Sequence, residues 1–349
     1  MRRLRCPIAA SLTLLLAATA MADDVVLVPG SNIPATGGRI RGKIERETPT
    51  AIRIGARDVP LDQVAEVIYD APGISYSQAR IQASNGNLPQ AAELYQKAVG
   101  ETNNSLVAQD ARFRRAAVLA QHARVDPSTR DAAIQALESV TTELANSRHL
   151  GPALELLAAL RLEAREFDAA DQALRELATL SWAADRAAVL RAQVMVKRGQ
   201  SEQALRELET LIGRLREGTP ARRQAELARA EALVGLSRFD EAEQAARAVI
   251  DAADPEDAAT LAPSYNTLGD CLRAAGRTRD ALFAYLHTDI LYPSQAEEHA
   301  RALAAIAELW RVLDENSRAA QVVERLEREY PNSPYLPAAR GVMSNRPDR

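Results

Sequence analysis

The chain has 349 residues, of which 47% are hydrophobic, 26% charged and 4% aromatic, with a formal net charge of −4. That is an ordinary globular balance, with length for two or more domains. The acidic surplus argues against nucleic acid or an anionic membrane surface as the main partner. Abundant alanine, leucine, arginine and glutamate favour helices.

The first residues, MRRLRCPIAASLTLLLAATAMA, set Arg2, Arg3 and Arg5 before an apolar run from Ile8 to Ala18 and the small-residue triplet Ala20, Met21, Ala22. This is the pattern of a secretory signal peptide over residues 1–22, cleaved after Ala22. Its apolar core of ~11 residues falls well short of the ~20 that span a bilayer. Cys6 precedes the apolar run, so the acceptor cysteine of a lipoprotein is missing. Cleavage removes three arginines and leaves 40 basic against 47 acidic residues, a net charge of −7. Cys271 is then the sole cysteine, an intramolecular disulfide is impossible, and the fold must hold by packing. A periplasmic or secreted protein is expected, with no integral membrane segment after cleavage.

Residues 23–72 alternate in the manner of strands at Val25 to Val28, Arg39 to Glu45, Ala51 to Ile54 and Val64 to Tyr69. Gly37-Gly38, Thr48-Pro49, Gly55 and Pro60 punctuate them. Four or five short strands in a small antiparallel β module are expected. So few residues bury little apolar area, so the module should lean on the residues C-terminal to it.

After Pro72-Gly73 the period becomes helical. Alanines that come just after a short turn recur at Ala91, Ala133, Ala170, Ala204, Ala242, Ala281 and Ala319, with spacings of 42, 37, 34, 38, 39 and 38. Each begins a pattern of a small residue, then a larger one four later, then another small or apolar one. Two helices that cross closely need a side chain no larger than alanine at the contact, with neighbours three and four away filling the rest. A sequence with seven such units is expected to form a mainly α protein, an α-solenoid of about seven helix pairs over residues 73–337. The stretch ARVDPSTRDAA at 123–133 should lengthen a helix or loop in the second unit. EYPNSPYLPAARGVM uses prolines to stop one helix and start a capping one, with a C-terminal tail at 338–349.

This region resembles the tetratricopeptide repeat family, in which each unit is an antiparallel helix pair. The fit is best in YNTLGDCLRAAGRTRDALFAY, residues 265–285. There Tyr265, Leu268, Gly269 and Leu272 stand in the first helix at the family's large, Leu, small and large positions. Gly276 is in the turn, Ala281 and Tyr285 are in the second helix, and Pro293 closes the unit. The YPNSPY phrase also resembles repeat proteins of bacterial envelope-assembly systems.

Candidate chemistry is sparse. Cys271 beside Asp270 suggests a thiolate, but in the repeat register it falls among packed small residues and reads as a buried, inert thiol. His122, His149, His287 and His299 are scattered, with no pair at ligand spacing. No phosphate-cradling loop or nucleophile elbow occurs. No cofactor, metal or catalytic residue is expected, and the chain reads as a non-enzymatic scaffold.

The resemblance implies a concave groove lined by first helices. Its positions make Tyr76, Arg80, Arg186, Gln193, Lys197, Asp270, Arg273, Arg301, Glu308 and Arg311 the expected partner-binding residues, with Glu155, Leu162, Leu227, Glu231 and Asn266 beside them. The asparagine by which some family members clamp a C-terminal carboxylate falls on Arg80, Ala159, Gln193, Glu231, Asp270 and Glu308, so that clamp is absent. A groove of mixed sign suits a protein or extended peptide. The alternative is an accessory, non-catalytic subunit of a secreted or envelope enzyme complex, its β module binding polysaccharide or docking the array. The oligomeric state is left open.

Overall fold

The structure, a computed structural model, describes residues 22–344. The expected signal segment, up to Met21, lies outside them, as do residues 345–349.

Six short strands form two antiparallel sheets. One has the order β2 (Arg39–Gly42), β1 (Asp23–Leu27), β6 (Val64–Ile68); the other β3 (Ile44–Glu47), β4 (Ala51–Ile54), β5 (Arg57–Pro60). Val25 faces both Ile40 and Val67 across the first sheet, and Ile52 faces Val59 in the second. The period-two apolar residues Val25, Leu27, Ile52 and Ile54 all point into the core. The expected single strand at Arg39 to Glu45 breaks at Lys43 and passes from one sheet to the other; with β5 at Arg57–Pro60, which none of the four expected runs covers, the strands number six.

Seven antiparallel helix pairs come after the strands: α1 (Ile74–Ser84) with α2 (Leu88–Glu101), α3 (Ser105–Val125) with α4 (Arg130–Glu143), and α5 (Leu150–Glu163) with α6 (Phe167–Leu177). Next come α7 (Ala184–Lys197) with α8 (Ser201–Arg214), and α9 (Pro220–Gly235) with α10 (Phe239–Ala252). The last are α11 (Ala258–Ala274) with α12 (Thr278–Leu291), and α13 (Ala296–Val312) with α14 (Asn316–Glu329). A final helix, α15 (Leu336–Ser344), packs on α13 and α14 as a cap, so helix extends seven residues beyond the expected end of the array at 337.

All seven anchor alanines are 0% exposed, each in the second helix of its pair. Gly269 shows why small residues are required: a Cβ there would lie 2.7 Å from the ring of Tyr285. The turn inside a pair also repeats. Gly86, Arg165, Gly199, Ser237, Gly276 and Asp314 all adopt positive φ there, closing the first helix of six units. The second unit differs, because Asp126 caps a short 3-10 turn at Pro127–Thr129 after the 21-residue α3.

Two features position the site. First, the change of period at residues 72–73 is no break in the core: strand residues Val25, Ile52 and Val67 share one apolar cluster with Tyr76, Leu88, Ala91 and Tyr95 of α1 and α2. Second, the array winds until its ends meet. Asn332, before α15, donates to the carbonyl of Gly86 at 2.9 Å, and Arg124 of α3 reaches Glu297 of α13 at 3.5 Å. The superhelix therefore turns once around its own interior.

Candidate functional site

First helices stack on one another along the inner face, as α7 on α9, α9 on α11 and α11 on α13. They enclose a groove of about 640 Å³. Val189 and Leu190 of α7, Leu227 of α9 and Pro263 of α11 give it apolar walls, while Arg186, Gln193, Glu231 and Arg301 supply polar groups.

Of the ten expected partner-binding residues, Arg186, Gln193 and Arg301 line this groove, together with Leu227 and Glu231. Arg186 is held by Glu155 at 2.7 Å. Gln193 donates to Glu231 at 3.3 Å. Asp270 is half-buried and accepts hydrogen bonds from Tyr285 at 2.5 Å, from Arg273 at 3.3 Å and from Arg301. Arg273 in turn pairs with Glu308 at 2.7 Å, which makes an ion-pair ladder from α11 to α13. Lys197 and Arg311 are exposed and form no ion pair among the described residues. Leu162 packs on the core between the second and fourth units, and Asn266 is 0% exposed, spending its amide on Glu298.

One expected position is corrected. Tyr76 is buried and donates to Asp110 of α3, so it presents nothing to a partner. Arg80 pairs with Glu66 of β6 at 2.8 Å but stays 40% exposed in its side chain. Tyr76 shares an apolar cluster with the strands, which the repeat register alone cannot show.

Sequence reasoning also missed the joint between module and array. Arg148 donates to Glu47 of β3 at 2.9 Å, to Asp110 of α3 at 2.5 Å and to Tyr69 at 3.3 Å. Tyr69 donates to Glu47 at 2.6 Å, and Arg114 also binds Asp110. Glu47 and Asp110 are 5% and 1% exposed. Burial pushes Asp110 up, but Arg148, Arg114 and the bond from Tyr76 together hold its carboxyl at about 2. His149 stacks on Phe113 at 4.9 Å with both ring nitrogens unpartnered, and burial beside Arg148 depresses its pKa to about 3. Its carboxylate neighbours, at 3.8 and 3.9 Å, are too far for hydrogen bonds. The members come from sequence positions 47 to 149, and no short-range pattern could have joined them. Trp182 fastens the module a second time, donating to the carbonyl of Pro49 at 2.8 Å.

Cys271 is 1% exposed, and burial together with the charge of Asp270 pushes its thiol up to about 12. Such a thiol is a packing residue. Among the described residues no three His, Cys, Asp or Glu side chains are grouped to hold a metal ion, and no helix is long and apolar enough to cross a membrane.

No family model and no curated protein matches the sequence. Solved structures do match the fold. A tetratricopeptide repeat protein from Parabacteroides merdae is 16% identical, with a TM-score of 0.51 over 78% of this chain and 100% of that one. A Rap protein complexed with competence and sporulation factor is 14% identical, with a TM-score of 0.47 over 77% of this chain and 84% of that one. PilW, a type IV pilus biogenesis factor, is 15% identical, with a TM-score of 0.39 over 67% and 98%. The chain has the fold of a tetratricopeptide repeat protein, an α-solenoid preceded by two small antiparallel sheets.

Proposed function

We propose that this protein is an exported, non-enzymatic scaffold of the bacterial cell envelope that binds a protein or extended peptide segment in its concave groove. The observation that carries this reading is the groove itself: about 640 Å³ of open space on the inner face, with apolar walls and polar groups supplied by four successive first helices. A solenoid exposes much curved surface for its mass, and such a surface serves recognition. Export rests on the sequence of residues 1–22. Cleavage after Ala22 would leave all six strands whole, with Asp23 accepting hydrogen bonds from the backbone of Ile44 at 2.9 Å and Asp70 at 3.0 Å. In this reading the β module is a structural cap on the first units. Tyr69, its one aromatic, is 4% exposed and bonded to Glu47, so it offers no stacking platform to a sugar.

A photo-crosslinking residue at Gln224, which is exposed and lines the groove, tests the reading in living cells. An adduct with a discrete partner is expected at Gln224 and not at the exposed Arg279 of α12, outside the groove. Adducts at Arg279 and none at Gln224 would contradict the groove as the binding face. N-terminal sequencing of the mature chain should begin at Asp23.

A further inference from the structure

Seven charged side chains line the groove, and six of them already have an opposite charge in contact. Arg186 has Glu155 at 2.7 Å, Arg223 has Asp257 at 3.3 Å, Glu297 has Arg124 at 3.5 Å, and Arg301 has Glu298 at 3.4 Å. The seventh, Glu231 of α9, forms no ion pair among the described residues. Its carboxylate has one hydrogen bond, a 3.3 Å contact from the neutral amide of Gln193. Arg301 and Lys197 act on it only at a distance, and burial outweighs them, pushing its pKa up. The fold therefore holds a partly dehydrated carboxylate at the groove wall with no counter-charge in contact.

A second unpartnered acceptor lies behind the groove wall. Asn266 is 0% exposed, and its Nδ2 is fixed by the Glu298 carboxylate at 2.6 Å and the Glu298 carbonyl at 2.9 Å. Its Oδ1 then has no donor at all. Asn266 sits on α11 next to Thr267 and one turn from Pro263, both of which line the groove. Buried polar atoms are nearly always satisfied, so an orphan asks what satisfies it. Asn266 is fully buried and outside the groove lining, so a bound segment meets only Glu231, and what completes that carboxylate must bring an N–H donor and a positive charge.

We propose that Glu231 anchors a cationic side chain, lysine or arginine, of the segment bound in this groove, a refinement that rests on the groove reading above. Val189, Leu190 and Leu227 provide apolar contact for the methylene stem of such a side chain, while its charged end meets the carboxylate. Dehydration of the carboxylate has already been met in folding, so the arriving cation gains most of the Coulomb attraction. A peptide lacking the cation would leave Glu231 sealed and unpaired.

The test selects random dodecamer peptides displayed on phage against the purified full chain, then measures each enriched peptide by fluorescence anisotropy. Enriched peptides should share a lysine or arginine, and replacing it with glutamine should weaken binding to the wild type by at least about tenfold. Against Glu231→Gln, the basic and glutamine peptides should bind alike, and this variant should melt at or above the wild-type temperature because it no longer dehydrates a charge. Enrichment of acidic or neutral peptides, or undiminished preference for the basic peptide in Glu231→Gln, would overturn the proposal. So would a lowered melting temperature, which would give Glu231 a structural job. Peptides that bind Gln224→Trp as well as wild type would instead sink the groove reading, and this refinement with it.

Discussion

Charge is handled in opposite ways at the two ends of this array. At the joint between strands and first repeats, Glu47, Asp110 and Arg148 are sequestered and answer one another through bonds of 2.5 to 2.9 Å. On the first helices of the later units, Arg273, Glu308 and Asp270 sit half-exposed in a ladder outside the groove lining, and Glu231, in the groove wall, has no ion pair among the described residues. Buried charge that is fully partnered acts as a fastening, since removing one member strands the others. Half-exposed charge contributes little to stability and stays available to a partner. The contrast marks one region as cohesive, and the other as the place where the proposed recognition would occur.

The largest effect should come from breaking the fastening. Arg148→Met leaves Glu47 and Asp110 buried without their shared cation and should cost about 3–5 kcal/mol in urea denaturation. A loss below about 1 kcal/mol would erase the distinction between the two regions.

Acid should separate them next. The folded pKa of His149 is lowered from 6.5 to about 3, so as pH falls the unfolded chain takes up a proton that the folded chain refuses. Stability present above pH 6.5 is therefore lost progressively towards pH 3, by up to about 1.4 kcal/mol per pH unit. Asp110, held at about 2, adds a further loss below its ordinary value of 3.8. His149→Phe should flatten the upper part of that decline in melting temperature against pH. An unchanged decline would place the acid sensitivity elsewhere. The smallest effect is expected in the ladder, where Arg273→Ala should cost less than about 1 kcal/mol in the same denaturation assay.

Much of the repeat architecture was legible because it depends on local spacing. Seven alanines found by period alone are all fully buried, and Gly269 proves to be the contact point for Tyr285. Cys271, conspicuous in the sequence, is a packed thiol beside that contact. The groove was only partly legible. Register could place Arg186, Gln193 and Arg301 on the inner face, but not reveal that Tyr76 is buried with strand residues or that Arg80 pairs with Glu66 of β6. Nor could it show the winding that brings Asn332 to Gly86, since a superhelix accumulates from small rotations in every unit. Glu231 was noticed for its register. What distinguishes it, the missing counter-charge, depends on which neighbours have partners of their own.

Hydrogen–deuterium exchange of the full chain, with and without its captured partner, tests the central claim most directly. Binding in the groove predicts slowed exchange in α7, α9, α11 and α13 and no change in the strands or at Arg148. Protection confined to the β module or to α12, with the inner helices unaltered, would contradict it.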